Sequence, residues 1–97
     1  MENLALLARL EAKPGKEKEV EEFIKGALAL AQREPGTVRW YALKLGLSTF
    51  GIFDTFEDEA GREAHLGGPI AQALMARAGE LLAAPPLIEP TVLLAVK

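Results

Sequence analysis

The chain has 97 residues, of which 49% are hydrophobic and 26% are charged, and its net charge is −3 at pH 7. This length fits a single domain over residues 1–97, and a mildly acidic chain without a basic cluster argues against nucleic-acid binding. The absence of cysteine excludes disulfides and thiolate sites, and no apolar run reaches the roughly 20 residues of a membrane span, so we expect a cytoplasmic protein without membrane contact.

The first third of the chain predicts a strand followed by a helix. Leu4–Leu10 is short and nearly all apolar, which is typical of a strand buried on both faces, although its Ala and Leu content leaves helix as an alternative. Between Lys16 and about Arg33, apolar residues recur every three or four positions opposite charged ones, which predicts an amphipathic helix. The segments Lys13–Gly15 and Glu34–Gly36 combine Pro with Gly and end the two elements.

The middle of the chain predicts a β-hairpin that runs into a helix. Thr37–Leu45 contains β-favouring residues, Leu45–Ser48 forms a turn, and the aromatic-rich stretch from Thr49 to Phe56 returns as the second strand. Asp58 is a good N-cap, so a short helix should follow and continue to Leu66.

The last third predicts a second helical piece and a final strand. Gly67–Pro69 breaks the helix, and Pro69 suits the first turn of a piece that ends before Ala84–Pro86. Ile88–Val96 reads as the last strand. The predicted order is therefore β-α-β-β-α-β, a ferredoxin-like α+β protomer with an antiparallel sheet and its helices on one face.

Both faces of the predicted sheet carry apolar side chains. In the first strand Leu6 and Leu7 point to opposite faces, and in the last strand Val92 and Leu93 do the same. The helices can cover only one face, and large apolar patches rarely stay exposed. A face-to-face homodimer is the simplest arrangement that covers the second face.

Several segments, in this order, resemble the antibiotic biosynthesis monooxygenase family of the dimeric α/β-barrel superfamily. They are Glu34-Pro-Gly-Thr37, the strand with Trp40-Tyr41, Phe50–Phe56, Glu63-Ala-His-Leu66 and the approach from Leu81 to Pro85-Pro86. The resemblance extends from Leu4 to Val96. It implies a dimeric α/β barrel with one pocket per subunit, and either cofactor-independent oxygenation of quinols and polycyclic phenols or haem degradation.

The haem-degrading branch depends on an Asn, a Trp and a His, and the matching positions here are Ala8, His65 and Met75. All three residues are replaced, which disfavours haem degradation. The preferred hypothesis is a monooxygenase that needs no cofactor and acts on a quinol or phenolic aromatic substrate. The alternative is a non-catalytic dimeric module that binds a small hydrophobic metabolite.

The candidate catalytic residue is His65, the single histidine, whose imidazole can accept a proton from a phenol near neutral pH. A structural role is favoured because the sequence shows no acid partner for it. Trp40, Phe53 and Met75 are candidate substrate-binding walls, with core or interface packing as the alternative for each.

Two charged residues, Arg39 and Asp54, interrupt the apolar hairpin strands. The preferred prediction is a structural pair between them, because buried charges need a partner, and the alternative is that one of them contacts the substrate. No metal site is expected, because one histidine and no cysteine leave only carboxylates, and Glu57–Glu59 fits a helix N-terminus better than a cation site. No phosphate-binding loop is apparent either, since Gly67–Pro69 lacks the Lys and Ser/Thr of such a loop.

Overall fold

The sheet of this protein contains four antiparallel strands in the order β2-β3-β1-β4, as a computed structural model covering all 97 residues shows. The elements are β1 (Leu4–Glu11), α1 (Glu17–Gly26), α2 (Leu28–Ala31), β2 (Thr37–Lys44), β3 (Thr49–Phe56), α3 (Glu59–Leu66), α4 (Pro69–Leu81) and β4 (Leu87–Val92). The helices pack on one face of the sheet. The predicted ferredoxin-like α+β fold is confirmed, and β1 is a strand rather than the alternative helix.

Two predicted boundaries are wrong. The helix expected to run to Arg33 divides at Ala27, just after Gly26, whose backbone costs more to order in a helix than that of Ala. The last strand ends at Val92 rather than Val96 because its partner β1 begins at Leu4. One further backbone bond, from Leu93 N–H to the Asn3 carbonyl, closes the pairing at that end.

The core lies between the helices and alternate residues of the two central strands. The register places Leu10 opposite Phe50 and Ala8 opposite Ile52. These four side chains form one buried cluster with residues from α1, α4 and the segments that flank them, namely Ala12, Val20, Ile24, Leu74, Leu81 and Leu82. Since residues two apart in a strand share a face, Asp54 also points toward the helices.

The opposite face of the sheet, called here the uncovered face, has no helix on it. Leu7 lies opposite Phe53, and the Phe53 ring stacks on that of Tyr41 with 6.5 Å between ring centroids. Tyr41 and Leu87 remain 47% and 55% exposed, although Ala5 and Thr55 at the end of the same face are buried. The two-faced apolar pattern inferred from the sequence is therefore present, and its own chain covers the second face only in part.

Helix α3 begins and ends as the sequence indicates. The Asp58 carboxylate caps it by accepting a hydrogen bond from Gly61 N–H at 2.9 Å. The chain breaks at Gly67 and Gly68, and α4 restarts with Pro69 in its first turn. None of the four helices is long and apolar enough to cross a membrane.

Candidate functional site

The single histidine lies in the last turn of α3 with its ring against the helix-facing side of the sheet. His65 is only 8% exposed. Its ring centroid is 5.5 Å from that of Phe56, the last residue of β3. Helix α3 is capped by Asp58 at its start and broken after Leu66 at its end. Both ends therefore help to position the last turn and its imidazole.

Each ring nitrogen of His65 meets a carboxylate. Nδ1 is 2.7 Å from Oε1 of Glu34, and Nε2 is 2.8 Å from Oδ2 of Asp54. The Glu34 contact is a directed hydrogen bond. The Asp54 contact is a close ion pair between the sheet and the helix. We call Glu34, His65 and Asp54 the acid–histidine–acid cluster.

The predicted pair between Arg39 and Asp54 is wrong. Asp54 lies opposite Trp40 in the β2–β3 register, so Arg39 points to the other face of the sheet. There the Arg39 guanidinium pairs with Glu2, with 3.1 Å between Nε and Oε1. Asp54 in the sheet is therefore paired with His65 in helix α3, and not with a residue of the neighbouring strand.

The two carboxylates determine the protonation state of His65. Burial by itself lowers the pKa of this imidazole, but the contacts with Asp54 and then Glu34 outweigh it and raise the pKa to about 9. At neutral pH the ring is therefore an imidazolium with an N–H at each nitrogen. Its position in the last turn of α3 favours the cation as well, because helix C-termini carry partial negative charge.

Glu34 reaches His65 from the segment between α2 and β2, and two contacts hold it there. Its Oε1 also accepts a hydrogen bond from the Thr37 hydroxyl at 2.8 Å. The segment passes so close to α3 that a Cβ on Gly36 would stand 2.8 Å from the Cα of Gly61. Only glycine at both positions allows this approach.

A small apolar cavity lies beside the cluster, between the sheet and the helices α3 and α4. Its volume is about 40 Å³, close to the space of one water molecule. It is lined by Leu6, Ala8, Ile52, Asp54, His65, Leu66, Ile70, Ala71, Leu74 and Ile88. Asp54 is 1% exposed; its Oδ2 is paired with His65, and its Oδ1 has no hydrogen-bond donor. One wall of a mostly apolar space thus carries a buried carboxylate with one oxygen that lacks a donor.

The other predicted site residues do not line this cavity. Trp40 is half-buried under the helices and borders a separate cleft of about 230 Å³ that Glu34 also lines. Phe53 lies on the uncovered face, and Met75 is 60% exposed beside Pro85 and Pro86. Their roles as substrate contacts stay predictions.

Sequence reasoning missed Glu34 and Asp54 as partners of His65. Asp54 did carry a signal, since it is the one acid within the apolar strand β3 and shares a face with core residues. Glu34 carried none beyond its place before Pro-Gly, because its contact with His65 joins residues 31 positions apart. No group of three or more His, Asp or Glu side chains is arranged so that it could hold a metal ion.

Comparison with known proteins gives one family and a set of similar structures. The family model described as antibiotic biosynthesis monooxygenase matches residues 3–77. Among solved structures, NE2512 from Nitrosomonas europaea, a protein of unknown function, is 60% identical, with a TM-score of 0.98 over 100% of this chain and 94% of its own. No curated protein sequence matches the chain.

More distant structures share the fold. PA3566 from Pseudomonas aeruginosa is 21% identical, with a TM-score of 0.83 over 98% of this chain and 97% of its own. Rv0793 from Mycobacterium tuberculosis is 20% identical, with a TM-score of 0.80 over 98% and 96%. At such identities the likeness concerns the architecture alone.

Proposed function

The chain belongs to the antibiotic biosynthesis monooxygenase family, and on that premise we propose that it oxygenates a phenolic or quinol-type aromatic substrate without a cofactor. The observation that supports the proposal is the acid–histidine–acid cluster in the wall of an apolar cavity. Strongly perturbed ionisable groups beside a cavity are typical of sites that move protons. The cytoplasmic location expected from the sequence stays a prediction.

The proposed reaction uses the electrons of the substrate itself. A naphthol-type phenol with a free ring position reacts with one dioxygen molecule to give the quinone and one water. One oxygen atom enters the ring, and the other leaves as water with the two hydrogens that the substrate loses. The protein contributes orientation of the ring, exclusion of water and stabilisation of developing charge.

His65 is the proposed acid/base group, and its charge assigns its first task. Since the pKa of His65 is raised to about 9, the ring enters the reaction protonated at neutral pH. An imidazolium cannot accept a proton. It can stabilise a phenolate or a reduced dioxygen species electrostatically, and it can donate a proton to the departing hydroxide, which then leaves as water.

The closed cavity is smaller than any aromatic substrate. Its volume of about 40 Å³ compares with about 300 Å³ or more for ordinary ligand pockets. Substrate binding would therefore require the cavity to widen between α4 and the sheet. Leu74 of α4 and Ile88 of β4 both line it, and the 37% exposure of Ile88 supports an entrance on the β4 side.

The test is oxygen consumption with a panel of quinols and naphthols, together with chromatography of the quinone. We expect His65→Ala to lower turnover by about 100-fold or more, because general acid–base catalysis contributes at least that factor. Ser48→Ala is the control. It removes one exposed hydrogen bond to Glu11 at the end of β1, at a cost of about 1 kcal/mol, and contacts neither α3 nor the cavity.

Near-normal turnover in His65→Ala would contradict the proposed role of the imidazole. No oxygen consumption with any substrate, combined with saturable binding of the same compounds, would favour the alternative of a non-catalytic module for a small hydrophobic metabolite.

We also propose that the protein forms a homodimer through the uncovered sheet face. That face presents the stacked pair Tyr41 and Phe53 together with Leu7 and Leu87, and an apolar surface of this kind is typical of interfaces. Light scattering at micromolar concentration should give twice the chain mass of 10.4 kDa. Tyr41→Glu should give the monomer, and a wild-type monomer would exclude the proposal.

A further inference from the structure

One residue of the cavity wall, Asp54, has a carboxylate oxygen without a hydrogen-bond partner. Oδ1 of Asp54 is buried, has no hydrogen-bond donor, and belongs to a side chain that lines the cavity. The other oxygen, Oδ2, is turned to His65 at 2.8 Å. One oxygen of the carboxylate thus contacts a protein partner, and the other is a hydrogen-bond acceptor without one.

No other cation satisfies this acceptor. The nearest basic side chain of α3, Arg62, donates instead to the backbone carbonyls of Ala5 and Thr91. A buried acceptor without a donor is costly, and an ionised carboxylate can only accept. A ligand that fills the cavity therefore binds most tightly when it donates a hydrogen bond to Oδ1 of Asp54.

We propose that Asp54 selects the substrate of this site by accepting a hydrogen bond from a neutral hydroxyl group, an inference that rests on the proposed oxygenation of a phenol. Asp54 would then be a catalytic residue in contact with the substrate. The remaining cavity walls are mostly aliphatic and suit the body of an aromatic or alicyclic ring.

The charge of the cluster explains why the hydroxyl should be neutral. Glu34 and Asp54 contribute two negative charges and the His65 imidazolium one positive charge, which leaves the cluster with a charge of −1. A carboxylate ligand or a free phenolate would add a second uncompensated negative charge in a nearly dry space, which is unfavourable. A phenol avoids this cost because it enters with its proton.

The same contact gives the proton a destination. When an electron passes from the bound phenol to dioxygen, the phenol O–H bond breaks and its proton moves to Oδ1 of Asp54, leaving a neutral phenoxyl radical and superoxide. The two combine at the free ring carbon to give a peroxide anion, which takes the proton back from Asp54 and becomes a hydroperoxide. The ring carbon then loses its hydrogen as a proton to Asp54 while the O–O bond breaks, which gives the quinone and hydroxide, and the proton held by Asp54 converts the hydroxide into water. Oδ1 of Asp54 accepts the proton at the moment when loss of an electron makes the hydroxyl far more acidic than that of a neutral phenol.

The test measures binding without turnover. Under anaerobic conditions the intrinsic fluorescence of 1-naphthol, 1-methoxynaphthalene and 1-naphthoate is titrated with the wild-type protein at pH 7, with phenol as a smaller competitor. We expect 1-naphthol to bind about 10- to 100-fold more tightly than its methyl ether, since the ether leaves the buried acceptor without a donor. The naphthoate should bind more weakly than either.

Two variants separate the role of Asp54 from that of the cluster as a whole. Asp54→Asn places an amide where the open acceptor stood, and the ratio between naphthol and methyl ether should fall to about one. Glu34→Gln removes the other carboxylate contact of His65 and does not line the cavity, so it should lower the pKa of His65 while preserving the ratio.

The outcomes distinguish this inference from the proposed function. Equal wild-type affinity for naphthol and its ether, or no binding of naphthol or phenol up to their solubility limits, would overturn the selection by Asp54. A clear hydroxyl preference without oxygen consumption would leave the selection standing and refute the oxygenase. Should Asp54→Asn fail to fold, the wild-type comparison of the three ligands still decides.

Discussion

The raised pKa of His65 makes the stability of this protein depend on pH in a defined window. The folded-state pKa is about 9, whereas an unfolded chain has the ordinary value of 6.5. The folded state therefore binds the proton more tightly, and the resulting stability is fully present below pH 6.5 and lost as the pH rises through 9. Between pH 6 and pH 9 the loss from this one group is about 3 kcal/mol.

The measurement is chemical denaturation at a series of pH values, compared with the same series for His65→Gln. Gln cannot titrate, so subtracting its curve removes the contributions of Tyr, Lys and the N-terminus. Because the chain has a single histidine, NMR of the imidazole carbons gives its titration directly and without assignment. We expect a midpoint near pH 9 in the NMR titration.

A midpoint near 6.5, or identical pH dependence of stability in wild type and His65→Gln, would refute the reasoning. Either result would mean that burial, which lowers the pKa, cancels the effect of the contacts with Asp54 and Glu34. His65 would then be neutral at pH 7 and could serve as a base. Repeating the NMR titration on Glu34→Gln should give a lower midpoint, because one of the two stabilising carboxylates is lost.

Two further pairs of variants test the packing around the site and the faces of the sheet. Gly36→Ala should destabilise the protein and lower the NMR midpoint of His65, because the new Cβ would be 2.8 Å from the Cα of Gly61. Gly79→Ala is its control, since a Cβ there has nothing within 4 Å, and it should be neutral or stabilising by up to about 1 kcal/mol in denaturant titrations. Phe50→Ala should cost about 3–5 kcal/mol of unfolding free energy, because its side chain is in the core. Phe53→Ala should instead weaken dimerisation in light scattering, and an equal effect of both changes on monomer stability would contradict the assignment of faces.

The fold was predictable because its signals are local. Helical periodicity in α1, the cap at Asp58 and the Gly-Pro break before α4 each act within a few residues. One error lies where a distant partner decides, since the end of β4 depends on where β1 begins. The other is local, because the amphipathic pattern continues past Gly26 although the helix divides just after it.

The site was less predictable because its members come together only through the fold. His65 stood out as the single histidine, yet its two carboxylates are 31 and 11 residues away along the chain. The strand register decides that Asp54 faces the helices while Arg39 does not. An aromatic residue such as Phe53 attracts attention in the sequence, but the same alternation places it on the opposite face from the cavity.

The segments that end the secondary-structure elements also build the cluster. The Glu34–Gly36 segment closes α2 and brings Glu34 to Nδ1 of His65, and its Gly36 passes against Gly61 at the start of α3. At the other end of α3, a Cβ on Gly68 would stand 3.1 Å from the Ala64 carbonyl and 3.4 Å from Oε2 of Glu34. The glycines on both sides of α3 therefore leave room for one carboxylate, while β3 supplies the other. A side chain at Gly36 or Gly61 would move the segment that carries Glu34 away from α3, so residues that a sequence pattern marks only as breaks help to hold a carboxylate at the imidazole.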